Sequence, residues 1–377
     1  MSGFGIYVHW PYCAAICPYC DFNVYRARGA DNRPLLEAIA ADMQAQAARF
    51  GRRAAQSVFL GGGTPSLLRG EEVAFLIGAA GKAFDLAPDC EITLEANPED
   101  HALFAEQADA GVNRFSIGAQ AFDDAALKAL GRRHDAATSR RAVEAAAATG
   151  RRVSLDLIYA REGQSLEAWR DELGEALRLP IEHASLYQLT IEPRTAFARR
   201  VARGHLHVPD AEAAADMYEA TQDLCANAGF PAYEISNHAR TPRARSAHNL
   251  IYWRSGDWIG VGPGAHGRVT HEGARLALEA QHRPGDYIDA VRENGAGVFE
   301  ETRLSPSEHA DEILLMGLRT EEGVELARVD ALREKPINRQ AIAQMCEFGL
   351  LNSDGKTVSL TPAGRVLANK VAEVLAG

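Results

Sequence analysis

No stretch of this chain is apolar over anything near the roughly 18 residues that a membrane-crossing helix requires, which argues against a helical membrane protein. The start, MSGFGIYVHWPYC, has neither a basic n-region nor an apolar h-region, which predicts an uncleaved N-terminus and a cytoplasmic location. Positive charge is in deficit: 40 Lys and Arg against 51 Asp and Glu leave a net charge of −11. Non-specific nucleic-acid binding depends on neutralising phosphates, so nucleic acid is not an expected partner. Cysteine is scarce as well, with 6 in 377 residues, too few for a disulfide scaffold. Yet three of them, Cys13, Cys17 and Cys20, crowd into one short segment, and that clustering calls for a chemical reason.

The length favours a large domain with smaller additions. Apolar, β-branched runs alternate with alanine-rich helical stretches over the first two thirds of the chain. They predict strands at Gly5 to Trp10, Ser57 to Leu60, Glu91 to Ala96, Arg114 to Gly118, Val153 to Tyr159 and His183 to Leu189. Helices are expected at Pro34 to Phe50, Gly70 to Phe84, His101 to Ala110, Ala136 to Thr149 and Leu166 to Leu177, with another near Ala211 to Ala228. Six βα units with right-handed crossovers make an α/β protein built on a partial (β/α)6 barrel over residues 1–235. Residues 236–300, with weak periodicity, read as a connecting segment of loops and short strands. Residues 301–377 read as a C-terminal helical, winged-helix-like domain with an Asp354-Gly355 hairpin turn. From residue 300 onward, 9 Lys and Arg face 13 Asp and Glu, so this module is expected to dock a partner or brace the fold, not to bind DNA.

Cys13, Cys17 and Cys20 stand in C-x3-C-x2-C spacing just after the first strand. Three thiolates on one loop suit a 4Fe-4S cluster that keeps one iron without a protein ligand, because a structural cluster or a structural zinc normally closes with four. A zinc site completed by His9 and a set of buried structural thiols are the other readings. An open iron is suited to chelating the amino and carboxylate groups of S-adenosylmethionine (SAM). The remaining strand ends bring Gly61-Gly62-Gly63-Thr64-Pro65, Glu95, Gln120 and Asp156 toward the same mouth, where parallel barrels build their sites. The glycines allow close backbone approach, Glu95 can pair with an ammonium or hydroxyl group, Gln120 can donate and accept, Arg132 can fork onto a carboxylate and Asp156 can hold a ribose hydroxyl.

The cysteine spacing, with Tyr19 before the third cysteine, resembles the radical SAM superfamily. Tyr7-Val-His9-Trp-Pro11-Tyr-Cys13, Gly61 to Pro65, Leu94 to Pro98, Ser116 to Gln120, Leu155 to Tyr159, Ser185 to Tyr187 and the C-terminal module resemble its oxygen-independent coproporphyrinogen III oxidase family. The resemblance implies reductive cleavage of SAM to a 5′-deoxyadenosyl radical, and SAM contacts at Tyr7, Gly62, Gly63, Thr64, Glu95, Gln120, Arg132 and Asp156. The family divides into oxidative decarboxylases of coproporphyrinogen III and heme chaperones. Three features favour the chaperones: Phe22 stands where the oxidase motif has a further cysteine, only 12 residues precede Cys13, and His248-Asn249-Leu250-Ile251-Tyr252-Trp253 matches the HNxxYW motif of the chaperone group. That motif implies heme binding through His248. His9, His238 and His266 are rivals for the iron.

Tyr252 and Trp253 offer flat faces to a macrocycle, and Arg240, Arg243, Arg245 and Arg254, with no acid among them, suggest a clamp for heme propionates. The expected ligands are therefore a 4Fe-4S cluster, SAM and heme. The expected partners are apo respiratory heme proteins met near the membrane surface, and homodimer formation stays open. Coproporphyrinogen III dehydrogenation is the competing activity, and a redox-sensing interaction module a third reading. One departure from the family stands out: after Tyr159, where relatives continue Gly-Leu-Pro, this chain has Ala160-Arg161-Glu162, a charged turn beside the expected mouth. Cys90, Cys225 and Cys346 read as buried small hydrophobes.

Overall fold

In the strand β1, Phe4–Trp10, the side chains of Phe4, Ile6, Val8 and Trp10 are buried, and the alternate residues Tyr7 and His9 border a cleft. A strand buried on both faces is what a parallel sheet covered by helices demands, and it explains the near-continuous apolar run. The computed structural model that shows this describes residues 3–27, 29 and 31–377. The next five strands are β2 (Ala54–Gly62), β3 (Asp85–Ala96), β4 (Arg114–Gln120), β5 (Arg152–Tyr159) and β6 (His183–Gln188). All six lie where the sequence put them, most of them longer by a few residues, and each pairs in parallel with the next.

Most of the covering helices also follow the sequence reading: Arg33–Phe50, Gly70–Ala83, Ala136–Ala148, Leu166–Ala176 and Ala211–Asn227. Their starts have a local cause, since Asp135, Ser165 and Asp210 each accept a hydrogen bond from a backbone N–H of the first turn. The expected helix at His101 to Ala110 is instead a tight 3-10 segment, Pro98–Leu103, leading into Phe104–Asp109.

The segment read as a connector belongs to the main sheet. Strands β7 (Asn237–Ala239), β8 (Asp257–Val261), β9 (His266–His271), β10 (Ala274–Ala280) and β11 (Val298–Arg303) complete an 11-stranded sheet in the order β11-β10-β9-β8-β1-β2-β3-β4-β5-β6-β7. β8 runs parallel to β1, pairing Phe4 with Asp257 and Val8 with Val261, and so adds a seventh parallel strand at the open edge. β9 to β11 continue from it as an antiparallel meander.

The C-terminal module has its own apolar core, which includes Ile313, Leu314, Val324, Ile342, Val358 and Val371. The expected hairpin pairs Leu351–Ser353 with Thr357–Leu360, and Asp354 accepts from Lys356 N and Thr357 N across the turn. Among the described residues, no helix is long and apolar enough to cross a membrane.

Candidate functional site

At the C-terminal ends of the parallel strands lies a cavity of about 460 Å³. Its walls include Cys13, Cys17, Cys20, Gly62, Gly63, Thr64, Glu95, Gln120, Arg132 and Asp156, so these residues, far apart in sequence, meet at one mouth. Two residues proposed for ligands do not border it. Tyr7 borders a second cleft, its hydroxyl 2.9 Å from His9 Nδ1, and His248 is buried beneath the cavity.

The glycine turn has a clear structural task. Gly63 N donates to Trp10 O (2.7 Å) and Thr64 N to Tyr12 O (2.9 Å), so this turn holds the chain leading into the cysteine loop. A Cβ at Gly63 would sit 2.7 Å from Trp10 O, and one at Gly62, where φ is +100°, 2.6 Å from the His9 ring. The three thiols are free, and burial raises Cys13 and pushes Cys20 up to about 11, so iron would have to displace their protons. Arg132 braces the loop from behind. Its guanidinium donates to Cys17 Sγ (3.5 Å), Asn97 Oδ1 (2.6 Å) and Gly118 O (2.9 Å). That geometry makes it a strut for the loop more than a free fork for a carboxylate.

Deeper in the cavity the chemistry turns acidic. Burial, then the neighbouring Asp156, pushes Glu95 up to about 8, although Gly62 N donates to its carboxylate at 2.9 Å. Burial lifts Asp156 to about 6 against hydrogen bonds from serine hydroxyls, Ser116 Oγ donating at 3.0 Å. Thr93 Oγ1 is buried here with no hydrogen-bond partner. Gln120 ends β4 at φ +67°, a strained conformation for a residue with a side chain. Two acids short of a cation, an orphan hydroxyl and three free thiols on a glycine-clamped loop fit a bound cluster and a cationic, hydroxyl-bearing ligand such as SAM.

The floor of this cavity is the HNxxYW segment. Its helix, Ala247–Trp253, lies across the starts of the strands and is pinned there by buried charge. Glu91 accepts from Arg114 Nε (3.0 Å) and Arg152 Nη1 (3.1 Å), and its other oxygen accepts from Ala247 N (2.9 Å) at the helix start. Ser246 and Asn249 face the cysteine cavity and Tyr252 faces the second cleft. His248 is 1% exposed and stacks on Phe59 at 4.9 Å. Its Nδ1 lies 2.8 Å from Ser57 Oγ and its Nε2 2.6 Å from Tyr252 Oη. Burial drives it down to about 3, so it stays neutral, with both ring nitrogens engaged.

Three of the four arginines read as a propionate clamp are engaged elsewhere. Arg245 pairs with Glu321 (2.6 Å) and Arg254 with Glu322, while Arg240 lies over the Phe230 ring and donates to Ile181 O (3.2 Å). Arg243 is exposed and borders neither cavity. Two of the four therefore fasten the C-terminal module to the barrel, which the sequence could not show because their acidic partners lie some 70 residues away. The charged turn after Tyr159 is neutralised in the same way. Arg161 pairs with the buried Glu172 (2.6 Å) and donates to Ile158 O (3.0 Å), so its charge does not reach the mouth.

The chain matches the radical SAM superfamily over residues 7–175 and the HemN C-terminal domain over residues 304–367. The whole chain superposes on coproporphyrinogen III oxidase (HemN) from Escherichia coli, with a TM-score of 0.82 over 99% of this chain and 90% of that one, at 19% identity. Fold and domain pair together define a radical SAM protein of the HemN type. Among relatives, it is 42% identical to bovine "Radical S-adenosyl methionine domain-containing protein 1, mitochondrial" over 85% of this chain and 74% of that protein. It is 36% identical to "Heme chaperone HemW" of Mycobacterium tuberculosis over 99% of this chain and 95% of that protein, and 39% identical to that of Escherichia coli over 76% and 78%. The chain belongs to the HemW family.

Proposed function

We propose that this protein is a heme chaperone that holds a 4Fe-4S cluster on Cys13, Cys17 and Cys20, binds SAM beside it, and carries heme to apo heme proteins. The observation that carries this reading is the placement of the HNxxYW helix beside two cavities, with Asn249 lining the floor of the cysteine cavity and Tyr252 lining the second cleft. Relatives named as heme chaperones over nearly the full chain support it. When bound, the cluster supplies an open iron and an electron. The chain's own residues then position SAM: Glu95 and Asp156 would face its cationic and hydroxyl groups, the Gly62-Gly63 backbone its amino acid end, and Arg132 would hold the loop in place. Phe22, 60% exposed beside Cys20, closes the position where an oxidase would carry another cysteine.

The proposed partners are heme and apo respiratory heme proteins, with delivery close to a membrane surface. Anaerobic reconstitution followed by parallel assays of hemin binding and coproporphyrinogen III decarboxylation tests the reading. Stoichiometric hemin binding without protoporphyrinogen formation is expected; decarboxylation above the no-enzyme blank would overturn it.

A further inference from the structure

The second cleft, about 790 Å³, opens on the far side of the cysteine loop, and Asp21 and Phe22 line it as well as the first cavity. Its volume lies in the usual range for small-molecule sites, roughly 300–1,000 Å³. Tyr252 and Trp258 supply its apolar surface, their rings 4.4 Å apart, and Phe22 adds another exposed aromatic face. Arg194, exposed at the rim, supplies a cation.

The cleft also holds an available imidazole. His266, in β9, is exposed, and among the described residues its ring makes no hydrogen bond. Directly opposite in β10 stands Glu279, whose carboxylate is 2.8 Å from His282 Nε2. That carboxylate is taken up by His282, which leaves the His266 ring free to face the cleft. Of the other candidates, His282 also lines the cleft but is tied to Glu279 through Nε2, and the rest are spent or sealed. His248 and His9 have both ring nitrogens engaged, the latter by Tyr7 and Asn23 O. His238 is fully buried and borders neither cavity.

We propose that the heme cargo rests in this second cleft, with His266 as its axial ligand, Trp258 and Phe22 against the macrocycle and Arg194 toward a propionate. The assignment rests on the reading of the chain as a heme carrier and moves the iron contact from His248 to His266.

Full-length protein, cluster-loaded under anaerobic conditions, is titrated with hemin and, in parallel, with metal-free protoporphyrin IX. His266→Ala is expected to weaken hemin binding at least tenfold and to abolish the wild-type Soret position and low-spin EPR signal, while protoporphyrin IX affinity changes less than threefold. Added imidazole should restore the low-spin signal in that variant. Wild-type hemin affinity and spectrum in His266→Ala would overturn the assignment alone. Absence of hemin binding by the wild-type protein would overturn the heme-carrier reading beneath it. The protoporphyrin IX titration guards against a folding artefact, because a misfolded variant would lose that binding too.

Discussion

Glu95 shows how a single buried acid prepares a site. Its carboxyl is raised from 4.5 to about 8, so between those values the folded state holds a proton that the unfolded chain releases. Stability of the ligand-free protein therefore falls as pH rises through that window. A cation placed beside Glu95 favours the ionised form, so SAM binding to the cluster-loaded protein should release close to one proton near pH 7 and tighten from pH 6 to 8. Calorimetry in buffers of differing ionisation enthalpy measures this, and Glu95→Gln should abolish the proton release. His248 makes a contrasting case. Because its imidazole is stacked and doubly hydrogen-bonded, His248→Ala should cost about 2–4 kcal/mol of stability by denaturant unfolding. Hemin affinity of the folded fraction should stay within about threefold of wild type.

At the scale of elements, the six central strands were readable because each is an unbroken apolar run bounded by turn residues, as in Val153 to Tyr159. β8 was not. It is only five residues, DWIGV, and its place beside β1 depends on a register between Phe4 and Asp257 that no local pattern encodes. The cysteine cavity was equally legible, since every parallel strand delivers its C-terminal end to the same mouth. The second cleft was hidden, because Phe22, Trp258, His266 and His282 come from separate segments and meet only when β8 pairs with β1 and the meander follows it. His248 looked like an open ligand for a related reason: Ser57, which occupies one of its nitrogens, is 191 positions away. Buried charge fixes these elements. Glu91→Ala would leave Arg114 unpaired at the foot of the barrel and should cost about 3–5 kcal/mol. It should also loosen the Ala247–Trp253 helix, seen as faster amide hydrogen exchange there than in β1.

For the molecule as a whole, the two cavities share a mechanical link. Asn23, just past the cysteine loop, donates to His282 O (2.7 Å) and Pro263 O (2.9 Å), and its own carbonyl lies 3.0 Å from His9 Nε2. Ordering the loop around a cluster would therefore also order a wall of the second cleft. Asn23→Ala should leave cluster content near wild type by iron and sulfide analysis, while reducing the difference in hemin affinity between cluster-loaded and cluster-free protein. The C-terminal module joins this frame through Arg245–Glu321, Arg254–Glu322 and Arg268–Glu312. A carrier needs a pocket that binds heme and then gives it up, and an open cleft whose wall is shared with the cysteine loop would meet that need. The most direct test of the carrier role is transfer. Protein loaded with ⁵⁷Fe-heme is mixed anaerobically with membranes containing an apo respiratory heme protein, and label is followed from donor to acceptor. Transfer of the label, with the acceptor's heme spectrum appearing as the donor's Soret band declines, is the expected result. Label that stays on the donor while free hemin loads the same acceptor would contradict the account.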